Sequence, residues 1–126
     1  MTKFEIGDIV TGIYKTGKYI GEVTVVKEGR YVVRVLAVLK HPTQGDLHQP
    51  KSVEVPFFHE RRALAFREQT NIPAPYVKTY EGEIPDYQES LKTALTDEMA
   101  KLKDDNSEWA KKSLQILESL KEDYLK

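Results

Sequence analysis

Three histidines and two neighbouring carboxylates are the groups in this chain best suited to chemistry. His41, Asp46 and His48 share one stretch, Lys40-His-Pro-Thr-Gln-Gly-Asp-Leu-His48, and His59 stands beside Glu60. Imidazole and carboxylate are the ligands that zinc or manganese takes. Their spacing follows no established metal-site pattern, so the plainer expectation is a surface loop whose histidines hydrogen-bond locally. The chain contains no cysteine, which excludes thiol catalysis, cysteine-ligated metals and disulfides from these residues. A serine nucleophile would need a base within reach. Of Ser52, Ser90, Ser107, Ser113 and Ser119, the last four fall on or beside predicted helices and face no obvious base. No glycine-rich phosphate loop is present: Gly12, Gly17, Gly21 and Gly29 are spaced as hairpin and strand glycines. A metal-dependent enzyme is therefore the third reading, and no catalytic residue, metal ligand or cofactor is assigned.

Binding fits better than catalysis. Phe57-Phe58-His59 places two large rings on adjacent residues of a predicted strand, where they point to opposite faces. One ring can enter the core while the other faces out beside Gly45-Asp46-Leu47, as a protein-binding surface would require. A nucleic-acid reading is the rival. Small barrels opening on Gly-Asp-x-Val, here Gly7-Asp8-Ile9-Val10, often bind RNA or nucleoprotein. Tyr14, Tyr19, Tyr31 and Phe66 could stack on bases among Lys15, Lys18, Lys27, Arg30 and Arg34. Against it, residues 1–80 hold 12 Lys/Arg and 8 Asp/Glu, a modest surplus, and the pI is about 6.3. Residues 81–126 reverse the balance with 7 Lys/Arg and 12 Asp/Glu, and two such surfaces can attract each other or face different partners.

The elements that would position these groups change period along the chain. Asp8–Tyr14 is β-branched and aromatic, Lys15-Thr16-Gly17 is a turn, and Tyr19, Val23 and Val25 would share one face of a second strand. Arg30–Lys40 is nearly continuous apolar, which implies burial on both faces over part of its length. A proline-containing loop follows over 40–51, then a short strand over 53–58. Leu64–Arg67 is read as another strand, and the stretch from Asn71 to Tyr80 as a tight turn feeding a last one. After Tyr80 the period becomes helical. Asp86 caps a helix carrying Tyr87, Leu91, Ala94/Leu95, Met99 and Leu102 on one stripe. Asp104-Asp105-Asn106-Ser107 ends that helix and caps a second, striped by Trp109, Ser113/Leu114, Leu117, Leu120 and Tyr124. The predicted fold is mainly β with α: an SH3-like small β-barrel over 1–81, with an antiparallel helical hairpin over 82–126 packed on it.

A chain of 126 residues needs neither metal nor disulfide to bury a core. No apolar run reaches the length of about 18 residues that reads as a membrane span. Met1-Thr-Lys-Phe-Glu5 has no apolar stretch of the signal-peptide kind. The expected location is the cytoplasm.

Several segments together resemble the kinase-associated protein B family, also called kinase-associated lipoprotein B, of endospore-forming bacteria. They are Tyr14-Lys-Thr-Gly-Lys-Tyr-Ile-Gly-Glu22, Tyr31-Val-Val-Arg-Val-Leu-Ala-Val38, Lys40-His-Pro-Thr-Gln-Gly-Asp-Leu-His48, Val55-Pro-Phe-Phe-His-Glu-Arg61, Arg67-Glu-Gln-Thr-Asn-Ile-Pro73 and Gly82-Glu-Ile-Pro-Asp-Tyr-Gln-Glu-Ser-Leu91. They span most of residues 7–95, and the C-terminal helix is similar only in pattern. The resemblance implies a non-enzymatic signalling role, supporting a membrane sensor histidine kinase in the sporulation phosphorelay, and an SH3-like barrel with a helical C-terminal part. It supplies no catalytic residues. A lipoprotein needs a cysteine behind a signal peptide, and this chain has none, so membrane contact is expected through the kinase alone. The surface expected to meet the kinase comprises His41, Gln44, Asp46, Leu47, His48, Phe57, Phe58 and His59.

Overall fold

The computed structural model describes residues 3–45 and 60–125. Five antiparallel strands form one sheet: β1 (Ile9–Tyr14), β2 (Gly17–Lys27), β3 (Arg30–Lys40), β4 (Gln69–Pro73) and β5 (Val77–Thr79), in the order β4-β3-β2-β1-β5. A short 3-10 turn, Ala74–Tyr76, joins the last two strands. Two helices follow, α1 (Tyr87–Lys103) and α2 (Glu108–Tyr124). Mainly β with α is the class. Among the described residues, however, the predicted barrel is an open sheet whose edges, β4 and β5, do not pair. The edges draw together through side chains instead. Ile72 of β4 and Val77 of β5 share one core, and Ile72 Cδ1 also packs over Gly12 of β1, where an added Cβ would lie 2.5 Å from it. The predicted strand at 53–58 lies outside the described residues.

Local chemistry sets the turns and caps. The two-residue link between β1 and β2 has positive φ at Lys15 (45°) and Thr16 (72°), the backbone of the hairpin turn that usually takes Asn-Gly. Asp86 accepts a hydrogen bond from the Glu89 N–H at the start of α1, and Ser107 accepts one from Ala110 N–H at the start of α2. The first cap is the expected Asp86, and the second falls within the expected stretch 104–107.

Strict alternation fails along β2. The β2–β3 register shifts between Lys18 and Tyr19, Ile20 and Gly21, and Val23 and Val25. Each shift rotates the following residues relative to the sheet face and bends the strand. Val23 therefore packs in one core with Phe4, Val10, Tyr31, Val33, Ile72 and Val77. Tyr19 joins another, with Val35, Val38, Ala63, Leu91 and Ala94. Val25 is exposed instead of sharing their face. In β3 the neighbours Ala37 and Val38 are both buried, as a doubly covered strand requires. The cover over Val38 is α1, clipped on by Ser90, whose Oγ accepts from Val38 N–H at 2.9 Å and donates to Tyr87 O at 2.7 Å. A third core holds the helices together around Leu95, Met99, Leu102, Trp109, Ala110, Leu117 and Leu120.

Residues 64–67 are not a strand. The chain turns at Phe66 and Arg67, where Arg67 adopts φ 70°; Arg67 N–H and Glu68 O then bond Val35 of β3, and the regular ladder starts at Gln69. The turn at Ala74–Tyr76 likewise comes three residues later than Asn71, which belongs to β4.

Candidate functional site

Residues 61–64 have no strand partner, so their buried backbone groups must be satisfied by side chains. Three tyrosines from three elements do this. Tyr19 of β2 accepts from Leu64 N–H at 3.3 Å, Tyr87 of α1 donates to Leu64 O, and Tyr124 of α2 accepts from Ala63 N–H at 3.0 Å. Burial raises the pKa of each hydroxyl, that of Tyr87 to about 12. They are neutral donors and acceptors at physiological pH, the reverse of what a tyrosine base requires.

His41 completes the arrangement. It is fully buried, with Nδ1 3.0 Å from Pro42 O and Nε2 2.9 Å from the Tyr124 hydroxyl. A carbonyl can only accept, so Nδ1 carries the proton and Nε2 accepts from Tyr124. Burial lowers the imidazole pKa below its ordinary 6.5, which keeps this neutral tautomer. Gln44 is buried as well. Its amide nitrogen donates to Pro42 O (3.1 Å) and Arg61 O (2.9 Å), and its Oε1 accepts from Arg61 N–H (2.8 Å). Trp109 at the start of α2 donates its indole N–H to Gln44 O at 3.1 Å, and Arg61 Nη2 donates to Gly45 O at 2.9 Å. The segments 41–45 and 61–64 thus lie side by side along α2, held by Trp109 at one end and Tyr124 at the other.

The consequences for the expected surface are specific. His41 and Gln44 sit inside the protein, so either could touch a partner only if this clasp opened. The clasp pins together Gly45 and Arg61, between which the chain carries the other six candidates. Asp46, Leu47, His48, Phe57, Phe58 and His59 lie outside the described residues. Among the described residues no cluster of three or more His, Cys, Asp or Glu is placed to hold a metal ion. Of the four aromatics considered for base stacking, Tyr19 and Tyr31 are core and Phe66 is exposed, while Tyr14 packs between the two sheet cores. A polar hollow of about 290 Å³ adjoins the clasp, and its charges are mixed: Lys15, Arg61 and Arg62 with Glu60 and Glu68. The three-tyrosine clasp was not anticipated. The only signal for it in the sequence is a stretch, Arg61-Arg-Ala-Leu64, that fits neither strand nor helix well and so needs partners from elsewhere.

The family model described as kinase associated protein B matches residues 14–125. The chain belongs to the kinase-associated protein B family. The match carries the resemblance, drawn from segments between residues 7 and 95, through α2 as well. The chain is 59% identical over 124 residues to kinase-associated lipoprotein B of Bacillus subtilis (strain 168), covering 98% of this chain and 97% of that one. It is also similar to the crystal structure of kinase-associated protein B from Bacillus cereus, with a TM-score of 0.87 and 62% identity over 98% of this chain and all of that one. Among the described residues no helix is long and apolar enough to cross a membrane.

Proposed function

We propose that this protein is a non-catalytic binding module that docks on a kinase, and that the kinase is a sensor histidine kinase of the sporulation phosphorelay. Membership of the kinase-associated protein B family carries the reading, since the relatives' names record association with a kinase. The clasp supports it. Its histidine and three tyrosines bond each other or the backbone, and burial keeps them neutral, which suits a scaffold. Contact is made through residues between Gly45 and Arg61, the two positions that the clasp holds side by side. The protein works in the cytoplasm and meets the membrane through the kinase. The curled sheet, with Ile72 packed over Gly12, is on this reading an SH3-like barrel in outline.

Substitution separates this reading from a fold defect. Phe58→Ala and His48→Ala should each weaken capture of the kinase's cytoplasmic part at least fivefold while leaving the melting temperature within about 2 °C, the range of a surface change. Unchanged capture by both variants removes the 46–59 surface. Salt-steep binding to RNA, lost on Lys15→Ala or Arg30→Ala, would favour a nucleic-acid partner instead.

A further inference from the structure

The hydrogen bonds around His41 fit one protonation state only. The ring is fully buried. Its Nδ1–H donates to Pro42 O, its Nε2 accepts from the Tyr124 hydroxyl, and that hydroxyl oxygen accepts in turn from Ala63 N–H. An imidazolium has two donors and no acceptor. On protonation, Nε2–H and the Tyr124 O–H would both point into the same 2.9 Å contact. If the hydroxyl proton turns away, its oxygen can accept from Nε2–H as well as from Ala63 N–H. That proton then has no acceptor within the clasp, and a positive charge stays buried. The contact therefore closes around a neutral imidazole.

The neighbouring charges do not relieve this. Arg62 lies over the Tyr124 ring, 5.3 Å from its centroid, and pairs with Asp123 at 3.0 Å. Glu60 and the Tyr19 and Tyr87 hydroxyls complete the titratable surroundings of Tyr124. On the other side Lys40 precedes His41, opposite Lys18 of β2 and close enough to Glu98 of α1 to act on its carboxyl. Among the described residues none of these holds the imidazolium. Burial pulls the His41 pKa down, and only the Pro42 carbonyl pulls it back. What the hydroxyl ties down is small. Tyr124 ends α2, and Leu125 beyond it is 62% exposed. The core that joins α2 to α1 runs from Trp109 to Leu120, with Tyr124 at its margin. Residues 61–64 have no strand partner. The last turn of α2 can thus leave with Tyr124 while the helical core and the sheet stay packed. We infer that the clasp is a proton-operated latch, in which one proton on His41 releases Tyr124 and the 61–64 segment from each other while the sheet remains folded. The latch goes beyond the kinase-docking reading and stands without it.

The test is NMR on the full chain, labelled with nitrogen-15. Long-range proton–nitrogen correlation of the His41 ring at pH 7.5 should place the proton on Nδ1. Native-state hydrogen exchange, corrected for the intrinsic rate at each pH, then compares Ala63 N–H with the amides of β3. The opening equilibrium at Ala63 should rise about tenfold for each pH unit between 6.5 and the lower folded-state pKa of His41, since the open form takes up one more proton. It should exceed that of the β3 amides at every pH and change little in urea below about 1 M, as an opening that exposes little surface does. His41→Gln should keep the wild-type circular dichroism spectrum and lose the pH dependence at Ala63. A proton on Nε2 at pH 7.5, an Ala63 opening that ignores pH, or one that follows urea as steeply as the β3 amides overturns the proposal. All three are read on the wild-type chain, so they decide whether or not the variant folds. A pH dependence that survives in a folded His41→Gln protein assigns the proton to another group and overturns it as well.

Discussion

Removing the Tyr124 hydroxyl should cost this protein much more than the loss of one oxygen suggests. In Tyr124→Phe the ring still packs against Leu91 and the helical core, but two groups lose their partner. The Ala63 N–H and His41 Nε2 are both bonded to that oxygen, at 3.0 and 2.9 Å, and belong to buried residues. An orphaned buried polar group costs about 1–3 kcal/mol. Partial relaxation at the exposed chain end gives an expected loss of about 2–4 kcal/mol, a fall in melting temperature of about 10 °C for a domain of this size. The assay is urea unfolding followed by circular dichroism at pH 7.5, with Tyr80→Phe as the control. The Tyr80 hydroxyl donates to Glu83 O in an exposed turn, so its loss should stay within about 0.5 kcal/mol. A cycle with His41→Ala should show coupling of about 1 kcal/mol between the two residues. A Tyr124→Phe loss below about 0.5 kcal/mol, or no coupling to His41, would refute the idea that this hydroxyl ties the 41–45 and 61–64 segments to α2.

Three further outcomes are expected. Because burial holds the His41 pKa below 6.5, unfolding should be hardest above that pH, and stability should be lost as pH falls from about 6.5 through the folded-state value. Denaturant titrations between pH 7.5 and 5 measure that slope, which should flatten in His41→Gln. Glu98 has the opposite sign: burial raises its carboxyl pKa above 4.5, so its contribution is intact below about pH 4.5 and lost as pH rises through the folded-state value. Glu98→Gln should therefore be the more stable protein at pH 7.5, with the gain vanishing in acid. Gly21→Ala would bring a Cβ to 2.4 Å from Val33 Cγ1 and 2.5 Å from the backbone oxygen of Arg34. That overlap should destabilise by about 2–3 kcal/mol in the same urea assay.

The fold was legible in the sequence where local rules act alone. The bounds of β3, its burial on both faces over part of its length, and the caps at Asp86 and within 104–107 follow from apolar continuity and from short polar side chains ahead of helical stripes. What was not legible depends on distant partners. Tyr19, Val23 and Val25 part company because bulges in the β2–β3 pairing rotate them, and nothing in their own spacing encodes a bulge. Leu64–Arg67 has the position of a strand, but Ala63 and Leu64 are held by tyrosine hydroxyls from β2, α1 and α2, contacts up to 61 residues away in sequence. His41 and Gln44 looked like loop-surface residues because polar side chains usually are. They are buried because loop segments lying against α2 need internal hydrogen-bond partners for their backbone.

The most direct test of kinase docking is calorimetric titration of this chain with the soluble cytoplasmic part of its own organism's sporulation sensor kinase, at low and at physiological salt. Saturable one-to-one binding that persists at physiological salt and weakens in Phe58→Ala is the expected result. No heat of binding to a kinase shown to be folded and active would contradict it.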